Sequence, residues 1–390
     1  MSIHVGLITR CEVPYTLDLA NQLFEAGLAV TLYLCREHTI AEVGDSEDPV
    51  ERLYKLGLLP PNCKVRLIQL PRMRSLRSLG VFRRLSRTIR EDGVDVAHLL
   101  VASDEIWFAV LTHLLHGMPV VSTMTQPTRD IGESSPFLVI WAIQKLLALG
   151  SDQLIVNGED QPELLRKHYQ VSASRVSYIP LSVRTTAIKM ATKPVVEEQT
   201  TVLFFGRAVP HKGLEYLVKA QPLITQHIPD VRILIVAHGS DLKRCLQMMQ
   251  DVGRFEVHSE FVSGEEMAGY FKRACVVVVP YLVSTSSGVL MTSYAFGKPV
   301  VASNVAGLKE YVEPDSTGLL VPPGDTEQLA DAIIRLLSDN KLRQRLGTRA
   351  QRWAQEWQDD VTKKTVEAYE QAIMVHSTGG REVYADTSHP

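Results

Sequence analysis

The chain has 390 residues, 45% of them hydrophobic and 22% charged, with a formal net charge of −3. That length and composition exclude a disordered chain and fit a globular protein of about two domains. A pI near 6.5 gives no global reason to bind nucleic acid. The five cysteines (11, 35, 63, 245 and 275) are odd in number and include no C-x-x-C pair. Neither a disulfide framework nor a zinc site is indicated, and a reducing cytosol fits best. The opening MSIHVGLITR has no charged region ahead of an apolar stretch, so it reads as a first strand rather than a signal peptide. Residues 136–149 form the most apolar long segment, which is too short and too polar to span a bilayer and reads as a buried helix.

In chain order, residues 3–8 read as a strand, 17–26 as a helix and 28–34 as a second strand, the start of a doubly wound sheet. The intervening turn carries Glu12 and Tyr15 but no G-x-G-x-x-G, which argues against a dinucleotide oxidoreductase. Eight arginines (66, 72, 74, 77, 83, 84, 87, 90) follow with no acidic residue among them. Spacings of three and four put most of 83–90 on one helix face. Such a run is either a solvated face or a surface for anionic lipid headgroups or a phosphorylated acceptor. Residues 94–101 and 119–123 read as strands, and the turn after the second carries Arg129 and Asp130 at the carboxyl edge of the sheet. These two are the candidates for acceptor or sugar contact. His98 and His113 lie among apolar residues and read as structural. Residues 152–156 and 176–183 continue the sheet, and 186–200, with little periodicity, reads as a linker.

A second domain begins with a strand at 201–205, then Gly206-Arg207-Ala208-Val209-Pro210-His211-Lys212-Gly213, then a helix from 214. A guanidinium offers phosphate oxygens a bidentate fork and a lysine adds a compact charge, so a loop holding both at a strand end suits a diphosphate. Residues 231–236 read as a strand leading to His238 and Gly239, and 265–273 as an amphipathic helix. The chain is organised around 280–324. An apolar run at 274–279 ends at Pro280 and reads as a strand buried on both faces. Ser284-Thr285-Ser286-Ser287-Gly288 then opens a helix at 289–296, turning hydroxyls and N–H groups toward an anion. A helix at 326–337 with Thr326 at its cap, helices over 339–374 and a mobile tail at 376–390 complete the reading.

The AFGKPVVAS stretch, the Gly-Leu-x-Glu turn at 307–310 and the TGLLVPPGD tail at 317–325 resemble the donor segment of retaining glycosyltransferase family 4, strongly over 201–337 and weakly before. The resemblance implies a GT-B fold: two Rossmann-like doubly wound α/β domains (1–185 and 201–355) with a cleft between them, and a last helix at 356–375 crossing back to the first. It implies a nucleotide-diphosphate sugar as donor, with a UDP-sugar favoured, and no cofactor or metal. Arg207 and Lys212 carry over as diphosphate ligands. Gly206, His238, Gly239, Ser286, Ser287, Gly288, Val289 and Leu290 carry over as the rest of the nucleotide-sugar site. Family members have two glutamates eight residues apart, which fall here on Ser284 and Thr292, and histidines where Thr125 and Asp130 stand. Retaining chemistry in this fold lets the leaving phosphate deprotonate the acceptor, so no obligatory base is lost with the carboxylates.

The favoured reading is therefore a retaining hexosyltransferase, with Ser284, Arg129 and Asp130 nearest the chemistry. Its acceptor is a glycan, lipid-linked or small-molecule hydroxyl. Its expected place is the cytoplasm, with peripheral contact at the inner membrane face through Arg72–Arg90. Two alternatives remain: a catalytically weakened partner subunit, and a nucleotide-sugar epimerase of the same fold.

Overall fold

The computed structural model describes residues 2–44, 48–70, 77–101, 105–124, 137–284 and 286–379. The chain divides into two compact units, one of residues 1–182 with 359–390 and one of residues 183–358. In the first, β1 (His4–Thr9), β2 (Ala29–Cys35), β3 (Lys64–Ile68), β4 (Val96–Val101), β5 (Val120–Met124), β6 (Gln153–Val156) and β7 (Val176–Tyr178) form one sheet. Its order is β3-β2-β1-β4-β5-β6-β7 and every pair is parallel. In the second, β8 (Thr201–Arg207), β9 (Arg232–His238), β10 (Phe255–His258), β11 (Val276–Val279), β12 (Val300–Ser303) and β13 (Gly318–Val321) pair in the order β10-β9-β8-β11-β12-β13, again all parallel.

Parallel sheets are covered on both faces, and the sequence shows it: β11 is four consecutive valines, none more than 1% exposed. Helices Leu214–His227 and Thr326–Ser338 pack on one another and supply Leu217, Val218, Ile224, Leu329 and Ile333 to that unit's core. Their apolar residues recur at three and four, as one helix face requires.

Several boundaries differ from the sequence reading. β3 was not anticipated, because Lys64-Val65-Arg66-Leu67-Ile68 lies at a sheet edge and carries charge at alternate positions. The strand expected over 176–183 ends at Tyr178, and helix Thr185–Met190 runs into the stretch read as linker. The cap of helix Thr326–Ser338 is Asp325, whose carboxylate accepts from the Gln328 N–H at 2.9 Å. The segment read as several helices is one, Asn340–Ser377.

His98, on β4, is buried, with Nδ1 2.8 Å from the Tyr369 hydroxyl and Nε2 2.7 Å from that of Thr123. Burial pulls its pKa down to about 3, so the ring stays neutral, with both nitrogens bonded to hydroxyls. That is a structural histidine. Among the described residues, no helix is long and apolar enough to cross a membrane.

Candidate functional site

In the second sheet the chain steps from β8 to β9 on one side and later to β11 on the other, so the strand order reverses between β8 and β11. Open parallel sheets bind ligands outside the carboxyl ends at such a point. Arg207, the last residue of β8, is exposed and stands in register with His238 of β9, also exposed. The two loops that leave these strands are tied together. The Ala208 N–H donates to the His238 carbonyl at 2.8 Å, and the Asp241 N–H donates to the Ala208 carbonyl at 2.9 Å. Gly239 sits at φ +144, where an added β-carbon would lie 2.9 Å from the Ala208 carbonyl carbon, so this approach requires glycine.

Beyond Arg207 the chain turns through residues 210–212 into helix Leu214–His227. Half-buried Lys212 places its Nζ 3.8 Å from the ring centroid of Tyr281, the second residue after β11, and this contact fixes the ammonium at the sheet edge. The Leu282 N–H donates to the His211 carbonyl at 2.8 Å, joining the β8 loop to the β11 loop. Tyr281 is 3% exposed, and burial raises its pKa, opposed by the Ser287 hydroxyl and by the charge of Arg207. Arg207, Lys212, Tyr281 and Ser287 thus converge on one edge.

Helix Gly288–Ala295 begins there. Ser287, buried and extended (φ −142), caps it: its Oγ accepts from the Leu290 N–H at 3.3 Å and its hydroxyl donates to Tyr281 Oη at 3.5 Å. The N–H groups of Gly288 and Val289 have no acceptor among the described residues, as expected for a first helical turn. With the helix dipole they form a positive end. A β-carbon on Gly206 would lie 3.7 Å from Val289 Cγ2, which sets this helix end against the end of β8. Leu290 points into the core, and its N–H is already taken by Ser287.

Ser284 and Ser286 are half-buried; the Ser284 hydroxyl donates to the Ser286 carbonyl at 2.9 Å. Thr292 is buried and donates to the Gly288 carbonyl at 2.8 Å, keeping only acceptor capacity. Arg129, Asp130 and Thr285 lie outside the described residues. Sequence reasoning missed Tyr281, although an aromatic directly after a buried strand and Pro280 was a usable signal. It also missed Arg244, whose guanidinium holds Asp241 at 2.5 Å and Glu215 at 2.9 Å. Those pairs keep both carboxyls below their ordinary pKa and take their charge away from the loop ends.

The arginine run of the first unit resolves unevenly. Arg66 and Lys64 share Asp92 at 2.9 and 2.5 Å, and Arg90 donates to the carbonyls of Leu114 and His116 at 2.9 Å each. Arg83, Arg84 and Arg87 are exposed on helix Arg77–Glu91, while Arg72 and Arg74 lie outside the described residues.

Two all-parallel sheets, of seven and six strands and each in its own unit, fit a two-domain α/β protein of GT-B fold. Comparisons agree. Residues 199–339 match the family described as glycosyl transferases group 1, and residues 13–182 match the glycosyl transferase 4-like domain. The chain belongs to the group 1 glycosyltransferases of family 4 type. It is 27% identical to the D-inositol 3-phosphate glycosyltransferase of Pseudarthrobacter chlorophenolicus, over 93% of this chain and 90% of that one. Among solved structures, sucrose-phosphate synthase of Thermosynechococcus elongatus superposes with a TM-score of 0.70 at 21% identity, covering 96% of this chain and all of that one. Anabaena HepE in complex with UDP-glucose gives 0.67 at 16% identity, covering 96% of this chain and 100% of that one. These two likenesses carry the fold.

Proposed function

We propose that the chain is a retaining hexosyltransferase that moves a sugar from a nucleoside-diphosphate sugar to an acceptor hydroxyl, with a UDP-sugar as first donor. The observation that carries this reading is the meeting of Arg207, Lys212 and the amino end of helix Gly288–Ala295 at the reversal point of the second sheet. A pyrophosphate is bound by such a set: a fork, a point charge and N–H groups at a helix end. The complex of HepE with UDP-glucose supports uridine as the base.

In this reaction the bond between the anomeric carbon and the phosphate oxygen breaks. The acceptor oxygen bonds the same carbon from the same face, and its proton passes to the departing phosphate. Arg207, Lys212 and the helix end stabilise the charge that develops on that phosphate, the kind of electrostatic preorganisation that dominates many enzymatic rate enhancements. No protein nucleophile takes part, so hydroxyls at 284 and 292 leave the route complete. Ser284 is assigned to the sugar. Thr292, with its proton held by Gly288, accepts from a ribose hydroxyl. Arg129 and Asp130 are assigned to the acceptor side, and donor charge is met by the protein's own cations rather than a cofactor.

Calorimetry with UDP-, GDP-, ADP- and dTDP-glucose tests this directly. One of them is expected to bind and to be transferred or slowly hydrolysed, with the product keeping the donor's anomeric configuration by NMR. An inverted product would overturn retention. If no sugar nucleotide binds and none is turned over, the partner-subunit reading takes its place.

The exposed cations Arg83, Arg84 and Arg87 are assigned to peripheral contact with an anionic membrane, each contributing about 1 kcal/mol near such a surface. Changing all three to glutamine is expected to abolish cosedimentation with phosphatidylglycerol vesicles at low salt. Equal sedimentation of wild type and variant, or none by either, rules the contact out.

A further inference from the structure

The arginine face of the first unit continues into an apolar one. Helices Arg77–Glu91, Ile106–Leu114 and Phe137–Gly150 pack side by side in that order, and they run back against the strands to reach β4, β5 and β6. Their amino ends therefore lie toward the carboxyl edge of the first sheet, where open parallel sheets receive ligands. Leu138 and Val139, at the start of the third helix, are 73% and 52% exposed. They are the one adjacent pair of large apolar side chains so exposed among the described residues. Ala142, a turn further on, is exposed as well, and so is Ile106 at the start of the middle helix. Single apolar residues are ordinary on a protein surface, whereas a cluster at one edge of two adjoining helices marks an interaction site.

We infer that this edge is a membrane-insertion surface: Leu138 and Val139 enter an anionic bilayer below its headgroups while Arg83, Arg84 and Arg87 meet the lipid phosphates. The inference rests on the peripheral contact assigned above to those arginines and deepens it, adding the apolar part that sets the depth of the enzyme. Charge selects the occupant. Glu91 is the sole carboxylate of the three helices, against a run of arginines and Lys145, in a chain whose formal net charge is −3. An anionic leaflet complements such a one-signed surface throughout. The aromatic groups suit the same depth. Half-buried Trp141 has Lys145 Nζ 4.9 Å from its ring centroid. Trp107 stacks on Phe82 at 6.2 Å, which ties the middle helix to the one that bears the arginines. Tryptophan favours the headgroup level, and a lysine stem covers apolar surface while its ammonium stays in water. At 14 residues the third helix is too short to span a bilayer, so the contact lies in the interface.

The experiment uses the full chain with vesicles of phosphatidylglycerol or of phosphatidylcholine, at low salt and at about 0.5 M salt. Wild type is expected to prefer the anionic vesicles and to keep part of that binding at high salt, where charge is screened and apolar burial is not. Leu138→Ser/Val139→Ser is expected to bind anionic vesicles about tenfold more weakly and to be released wholly at high salt. Its melting temperature is expected to stay within about a degree of wild type, since both side chains are exposed. Leu138→Trp is expected to be quenched by lipids brominated in the acyl chain, beyond the quenching of wild type. A double variant that sediments as wild type does at both salt concentrations overturns insertion, as does a Leu138→Trp signal that brominated lipids leave unchanged or equal binding to the two lipids. Wild type released at high salt as fully as the variant overturns insertion alone and leaves the arginine contact standing. If wild type binds no vesicle, the peripheral contact falls and insertion falls with it. Self-association of wild type without lipid, lost in the double variant, puts a second copy on this edge and also overturns the inference.

Discussion

Replacing both Arg207 and Lys212 by alanine is expected to weaken sugar-nucleotide binding by roughly a thousandfold. Each side chain is assigned a charge-assisted contact worth about 2–3 kcal/mol. The two share one ligand, so their losses couple and the double variant falls short of the simple sum. Arg207 is exposed and Lys212 is half-buried with its ammonium over the face of Tyr281, so the melting temperature is expected to move by only a few degrees. Affinity and stability therefore separate in this variant. Raising the salt concentration is expected to narrow the gap between wild type and variant, since exposed charge is screened over about 8–10 Å near physiological ionic strength. A double variant that binds the donor as wild type does removes the diphosphate site from this edge of the sheet.

The parts of this site that were legible in the sequence are those encoded by adjacent residues. The valine run and Pro280 announced β11, because a short β-branched apolar run that stops at a proline suits a strand buried on both faces. Arg207 and Lys212 were legible because they lie between a buried strand and a helix start, where an open α/β sheet holds its ligands. The contact of Lys212 with Tyr281 was not, since it joins the loops that leave two different strands. The condition of Thr292 was equally hidden. Whether a helical threonine offers its hydroxyl proton to a ligand or returns it to the carbonyl four residues back is a rotamer choice. β3 escaped for a different reason, since an edge strand with alternating charge looks like a solvated turn until its neighbour is known.

Gly213→Ala is expected to destabilise the second unit by about 3 kcal/mol, and to disturb the site in the same stroke. The residue sits at φ +66, where any side chain costs roughly 1–2 kcal/mol. A β-carbon there would also overlap the carbonyl oxygen of Pro280, well inside van der Waals contact. That oxygen is backbone at the end of β11 and has no rotamer to escape into. Movement on the other side is opposed as well, since the Leu282 N–H is bonded to the His211 carbonyl two residues before the glycine. Relief has to come from shifting the start of helix Leu214–His227 or the end of β11, and either displaces Lys212 from Tyr281. For a unit of this size the loss corresponds to a melting temperature lower by about 6–12 °C. Donor affinity should fall too, although no side chain assigned to the ligand has changed. Gly269→Ala, inside helix Gly264–Arg273, is the control: a β-carbon there meets nothing within 4 Å, and the change is expected to be neutral or stabilising by up to about 1 kcal/mol. If Gly213→Ala melts within a degree of wild type while Gly269→Ala behaves as expected, the β8 and β11 loops are not held as tightly as their contact implies, and the preorganised cradle loses its structural basis.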